Sequence, residues 1–413
     1  MRILIVSQYF WPEVFRVNDL AEEFVRRGHD ITVLTGVPNY PSGRAFDGYS
    51  VWRGPWREDR RGVHIVRVPL VTRGRNRSWQ LALNYLSFAA LASIFGSIRC
   101  GRRFDAIFVF EVSPVTVGIP AIVMRWVTGA PIAFWVQDLW PESLTAAAGI
   151  TSRFVLTPAA ALVRWIYRRC DRILVQSEAF TADVVTHGGD PARITYVPNW
   201  AEDIYHPIAR DAARLPTGLV LPDGFRVVFA GNIGAAQGFG TILDAAERTR
   251  DLPDLHWVVF GDGRERSWVE EEVARRGLDR FVHLLGRYPV ETMPHVFAHA
   301  DALLVTLRRD PIFAKTIPGK VQSYLACGKP ILAAIDGEGA RIVAVSGSGI
   351  AVPADDGAAL ADAVRHLYGM NARDREAMGQ RGRVYYEQHF ARTMLIDRIE
   401  HILGALARAR SPA

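Results

Sequence analysis

Residues 310–335 read DPIFAKTIPGKVQSYLACGKPILAAI, and this run decides the fold. Pro318 suits a first helical turn, where its missing N–H has no partner to lose. Val321, Tyr324 and Leu325 fall on one face at helical spacing. Gly328 followed by Lys329-Pro330 is a stop, and Ile331 to Ile335 is the apolar run of a buried strand. A helix feeding such a strand is half of an α/β repeat. Lys320 stands at the helix start, where free N–H groups and the helix dipole favour a phosphate anion. Solvated lysines on an ordinary helix are the plain alternative.

The same alternation extends upstream. A strand at 226–230 opens a βαβ pattern, and the loop after it, Gly231-Asn232-Ile233-Gly234-Ala-Ala-Gln237-Gly238, enters a helix near Phe239. Glycines there let backbone N–H groups approach a diphosphate. Strand 257–260 ends in Gly261-Asp262-Gly263, and strand 282–285 ends in Gly286-Arg287-Tyr288. The loop 335–340, which holds Glu338 and enters a helix, is a further candidate for a diphosphate or sugar contact.

The first half repeats this architecture. Residues 2–7, 30–35, 63–68, 106–110, 132–136 and 173–175 read as parallel strands, and Asp19 to Gly28 as the first helix. The loop from Ser7 to Asn18 holds no glycine, so the dinucleotide fingerprint is absent and a nicotinamide enzyme loses its support. Ligands of doubly wound sheets bind beyond the carboxyl ends of strands, which puts Glu13, Arg16 and Asn18 at a cleft, with Arg16 an anion contact. By the same rule Glu111, Gln137, Asp138 and Glu142 follow strand ends. Their carboxylates are candidate general bases or partners of an acceptor hydroxyl, with helix capping as the alternative.

Residues 36–62 read as an ordered surface loop. Between Arg77 and Arg99 lie 21 uncharged residues. They form either a helix buried in the domain, one lying on a membrane surface, or a membrane span. The stripe Gln80, Asn84 and Ser87 and the arginines at both ends argue against a span. Residues 200–224 form a linker, and 385–410 one long amphipathic helix.

A chain of 413 residues exceeds one ordinary core. The expected domains are 1–205, completed by 385–413, and 206–384. Three scattered cysteines and an N-terminus without a secretory pattern fit the cytoplasm. The net charge of +6 favours anionic partners such as phosphates and lipid headgroups. No nucleic-acid motif accompanies it. With no Asp-x-Asp pair and no His or Cys cluster, the chain is expected to work without a metal or other cofactor.

The run PGKVQSYLACGKPILA resembles the nucleotide-sugar segment of retaining glycosyltransferases of the two-domain GT-B architecture, often called family 4. SQYFWPEVFRVNDLAEEFVRRGHDITVLTG resembles their first βαβ unit. DLWPES and GNIG with a following QG are similar to the subgroup that builds capsule and O-antigen repeats, including N-acetyl-L-fucosamine transferases.

The resemblance implies two facing Rossmann-like domains and a C-terminal helix returning to the first. It also implies a UDP-sugar donor, a lipid-diphosphate-linked glycan as acceptor, a peripheral membrane location and transfer with retention. Gln137 stands where the wider family has a histidine. Asn232 and Gln237 stand where it has an arginine and a lysine that neutralise the diphosphate. Lys315, Lys320 and Arg16 are the expected replacements. The family's paired glutamates fall on Lys315 and Ser323, so Ser323 or Gln322 would meet the ribose, and Arg287 and Tyr288 would lie beside the uracil. An epimerase on the same plan and a non-catalytic nucleotide-sugar binder are the rivals.

Overall fold

Continuous apolar runs bounded by turns become two parallel sheets. The computed structural model describes residues 1–75 and 77–410, with the backbone alone at 146–148. Its strands are β1 (Arg2–Val6), β2 (Asp30–Gly36), β3 (Arg57–Arg60), β4 (Val63–Val68), β5 (Ala106–Glu111), β6 (Ile132–Val136), β7 (Arg172–Val175), β8 (Ile194–Tyr196), β9 (Phe225–Ala230), β10 (Leu255–Phe260), β11 (Val282–Gly286), β12 (Ala302–Thr306), β13 (Ile331–Ala334) and β14 (Gly349–Val352).

The first sheet runs β3-β4-β2-β1-β5-β6-β7-β8 and the second β11-β10-β9-β12-β13-β14. Every pairing is parallel except β3 with β4. Helices cover such sheets on both faces, which is why β1 from Ile3 to Val6 and β5 from Ala106 to Phe110 are apolar and buried. Strand order reverses between β1 and β5 and again between β9 and β12. Those are the points where a doubly wound sheet opens a crevice for a ligand.

Two compact units result, one of Met1–Val197 with the chain from Ile396 onward, the other of Pro198–Leu395. The sequence drew these divisions at 205 and 385. The expected helix 385–410 is two helices, Ala372–His389 and Arg392–Arg410, because the backbone leaves helical geometry at Phe390. Phe390 is buried, so the apolar spacing carries on through the break and hides it. The last helix is clamped to the first unit: Arg27 donates to Asp397 and Glu400, both at 2.6 Å, and His29 lies 2.8 Å from Glu400.

Three further expectations are corrected. The loop 36–62 ends in β3, an edge strand whose REDR sequence has no apolar face to announce it. The first helix spans Arg16–Arg26, so Arg16 and Asn18 sit in its first turn rather than in the loop before it. The helix Gly319–Cys327 buries every residue from Val321 to Cys327, not one face.

The helix Ser78–Arg99 is long and apolar enough to cross a bilayer by length and composition. It packs against the first unit through Asn84, Phe88, Ala89, Ala92 and Gly96.

Candidate functional site

In the second unit the chemistry gathers where β9 ends. Gly231 takes φ +147° and Gly261, at the end of β10, φ +142°. A Cβ on Gly261 would lie 1.8 Å from the Gly231 carbonyl oxygen, and one on Gly263 2.1 Å from that of Ile233. Only glycines allow this approach. Hydrogen bonds from Gly231 N–H to the Phe260 carbonyl (2.8 Å) and from Ile233 N–H to the Asp262 carbonyl (2.9 Å) fix the two turns together.

Lys320 reaches this turn from the start of the helix Gly319–Cys327. A Cβ on Gly231 would stand 2.6 Å from Lys320 Cε, so glycine makes room for the side chain. The stem is half-buried, but the ammonium nitrogen is closed to solvent and has no hydrogen-bond partner among the described residues. It lies 3.4 Å from the centroid of the Phe229 ring, whose π face is its one electrostatic contact in view. Burial lowers its pKa to about 7.

On the β12 side of the switch point, Thr306 Oγ1 donates to the Gln237 carbonyl (2.6 Å) and Arg308 N–H to that of Ala236 (2.9 Å). These bonds pin the loop 231–238. It enters the helix Phe239–Arg248 as the sequence indicated.

The first unit has its own cluster at the ends of β1, β5 and β6. Glu13 is buried and takes backbone N–H bonds from Phe10 (3.2 Å), Asn39 (2.8 Å) and Tyr40 (2.7 Å). Desolvation still outweighs these donors and raises its pKa to about 7. Glu111, closing β5, is fully enclosed. Burial and the neighbouring Asp138 carboxylate hold it well above the usual carboxylate range. The Asp138 N–H donates to Glu111 Oε2 at 3.4 Å, and burial lifts Asp138 itself to about 7 against the pull of Ser143 and Ser113. Glu142 Oε1 stands 3.5 Å from His187 Nε2. Gln137 presents its carbonyl to Gln176 (2.9 Å). Glu13 and Asp138, each raised to about 7, can exchange protons with a bound hydroxyl compound.

A model described as "Glycosyl transferase 4-like domain" matches residues 14–200, and one described as "Glycosyl transferases group 1" matches residues 224–370. The chain belongs to the glycosyltransferases. The Escherichia coli protein named for colanic acid biosynthesis, the glycosyl transferase WcaI, is 26% identical over 340 residues, covering 79% of this chain and 82% of its own length. Sucrose-phosphate synthase from Thermosynechococcus elongatus superposes with a TM-score of 0.75 at 16% identity over 99% of both chains. Anabaena HepE, solved with UDP and glucose, gives 0.68 at 16% identity over 98% of this chain and 100% of its own. The fold is GT-B, two Rossmann-like parallel-sheet domains.

Not every expected contact of the transferase is held open for a ligand. Gln322 is fully buried and donates to the Asn199 carbonyl at 2.7 Å. Ser323 Oγ bonds back to the Gly319 carbonyl at 3.1 Å. Glu338 is paired with Arg341. Asn232 leans on Gln237 at 3.5 Å, and Gly234 is buried at the loop's narrow point. Lys315 closes the short helix Pro311–Lys315. Arg287 is exposed, and the Tyr288 ring meets Phe260 edge-on at 5.6 Å. Asn18 Nδ2 donates to the Glu13 carbonyl at 2.7 Å.

Sequence reasoning did not single out Arg73, Phe15 or Tyr40. Arg73 donates to the Tyr9 hydroxyl and lies over the Tyr40 ring at 5.2 Å, and Phe15 stacks on Tyr9 at 5.1 Å. Nothing in local pattern points from residue 73 to residue 9. His187, beside Glu142, was likewise illegible, whereas Phe229, beneath Lys320, had a usable signal as an aromatic one residue from the end of β9.

Among the described residues, no group of three His, Cys, Asp or Glu side chains has metal-holding geometry.

Proposed function

We propose that this glycosyltransferase moves a sugar from a UDP-sugar to a hydroxyl of a lipid-diphosphate-linked glycan, at the cytoplasmic face of the cell membrane, in bacterial surface-polysaccharide synthesis. One observation carries the donor half: the Lys320 ammonium is shut from water beside a glycine turn and has no anionic partner among the described residues. An uncompensated buried cation is costly, and a site that retains one suits a ligand of opposite charge. The UDP bound to Anabaena HepE and the colanic acid role in the name of the Escherichia coli relative support the reading. The likeness of DLWPES to the fucosamine-transferase subgroup favours N-acetyl-L-fucosamine or a related amino or deoxy sugar.

In this reading the bond from the anomeric carbon to the diphosphate oxygen breaks, and the acceptor oxygen bonds to the same face. The acceptor proton passes to the departing diphosphate, whose charge meets Lys320, Lys315 and the amides of the Gly234 loop. No metal is required. Asp138 and Glu142 orient the acceptor hydroxyl, with Arg16 a further anion contact.

The test is a panel of UDP-sugars with membrane-extracted acceptor lipid, run on the wild type and on Asp138→Asn. Turnover in the wild type is expected to rise as pH climbs through about 7, since an ionised Asp138 holds the hydroxyl best. The variant is expected to lose about 10- to 10²-fold and to lose that pH limb. An unchanged pH profile in the variant removes Asp138 from this role. Release of an epimerised sugar without acceptor would instead favour the epimerase.

A further inference from the structure

The helix Ser78–Arg99 is apolar on its buried face, through Phe88, Ala89 and Ala92, and on its exposed face as well. Its polar stripe faces the protein: Asn84 accepts from Gln8 (2.7 Å) and donates to the Val71 carbonyl (2.6 Å), and Ser87 Oγ accepts from Val71 N–H (2.9 Å). The opposite stripe, Trp79, Leu83, Leu86, Ala90, Ile94 and Ile98, recurs every three or four residues and is exposed along the whole helix, Ile98 at 72%. An ordinary surface helix of a soluble domain carries charged and polar residues on that outer stripe.

The neighbouring helices continue this surface. Gly118–Thr128 packs beside Ser78–Arg99, and Arg153–Tyr167 packs beside Gly118–Thr128, with Trp126 edge-on to Trp165 at 6.5 Å. On their outer sides Trp126 is 66% and Phe154 93% exposed.

Charge settles what covers this layer. None of the three helices contains an aspartate or glutamate. From Arg60 to Phe104 the chain has no acidic residue and nine arginines. Arg75 and Arg77 precede the long helix, and Arg102 and Arg103 follow it, all four exposed. Apolar side chains along the middle and guanidinium groups at both ends match the cross-section of an anionic lipid surface: acyl chains beneath, phosphates around. A second copy of this chain would bring arginines against arginines.

We infer that the outer face of these three helices lies flat on an anionic bilayer, with Trp79, Leu86, Ile98, Trp126 and Phe154 in the headgroup boundary. The surface stands on its own geometry; only its purpose, delivery to a lipid-linked acceptor, rests on the proposed function.

The full chain is floated with vesicles of phosphatidylcholine alone or mixed with phosphatidylglycerol, beside the triple variant Trp79→Ser, Leu86→Ser, Ile98→Ser. UDP binding is measured on both proteins in parallel. The wild type is expected to float with the anionic vesicles, less so at high salt, and the variant's partition to fall at least about tenfold with UDP binding intact. Wild type that stays soluble with anionic vesicles, or a variant that floats equally well, overturns the inference. Vesicle-independent self-association removed by the variant assigns the face to a second copy and overturns it too. A loss of the donor reading would register separately, as absent UDP binding.

Discussion

Replacing Lys320 by alanine is expected to lower turnover of the nucleotide-sugar donor by about 10²-fold or more, with the fold retained. A 10²-fold loss corresponds to about 2.7 kcal/mol of transition-state stabilisation, the size found when one preorganised electrostatic contact is removed from a site that excludes water. The ammonium qualifies on both counts. It is held in place before any ligand arrives, by Phe229 beneath and Gly231 beside it. Among the described residues it has no carboxylate to release first. The same features argue that the fold survives, because alanine leaves no hydrogen-bonding group stranded and relieves the burial of a charge. Steady-state kinetics with a donor panel, beside a thermal unfolding trace, check both halves. Unchanged turnover in a folded variant removes Lys320 from the donor site.

The second large effect concerns Glu13. Substitution by alanine is expected to destabilise the first unit by about 3–5 kcal/mol, since the N–H groups of Phe10, Asn39 and Tyr40 lose a shared buried acceptor. These amides belong to the loops after β1 and β2, so the damage falls on the proposed acceptor side.

The pH dependence has a definite sign. Burial raises the folded-state pKa to about 7 from the ordinary 4.5. Protonation therefore favours the folded state, and the contribution is complete below about 4.5 and lost as pH rises through about 7. Denaturation at pH 5 and pH 8 should show the wild type losing stability over this interval through Glu13, and Glu13→Ala losing less. An alanine variant that unfolds with the wild type at both pH values contradicts the assignment.

The architecture was legible because buried parallel strands announce themselves. Ile3 to Val6, Ile107 to Phe110 and Val227 to Phe229 are apolar without interruption, and the glycine turns that follow two of the second-unit strands mark their carboxyl ends. β3 escaped notice because an antiparallel edge strand of four charged residues has no apolar face. The helix break at Phe390 escaped because burial alternates through it as it would in one continuous helix.

At the site, the sequence could nominate residue types but not their partners. Lys320 was identifiable as a cation at a helix start, yet its seat on Phe229 depends on a strand 91 positions earlier. Gln322 looked available for a ribose, but its amide is taken by Asn199, 123 positions away. Glu338 was paired locally, three positions on, with an arginine that fits the ordinary helical spacing. The helix Ser78–Arg99 was half legible: the polar stripe was visible as a pattern, but which way it faced was not.

The central claim, that a nucleoside diphosphate binds against the Lys320 ammonium, is tested most directly by calorimetric titration of the full chain with UDP at pH 8 in buffers of differing ionisation enthalpy. With the free lysine held to about 7, most of the protein starts with Lys320 neutral, and the bound anion draws a proton onto it. The account predicts uptake approaching one proton per UDP in the wild type, and weaker binding without that uptake in Lys320→Ala. Equal affinity and equal proton exchange in the two proteins would contradict it.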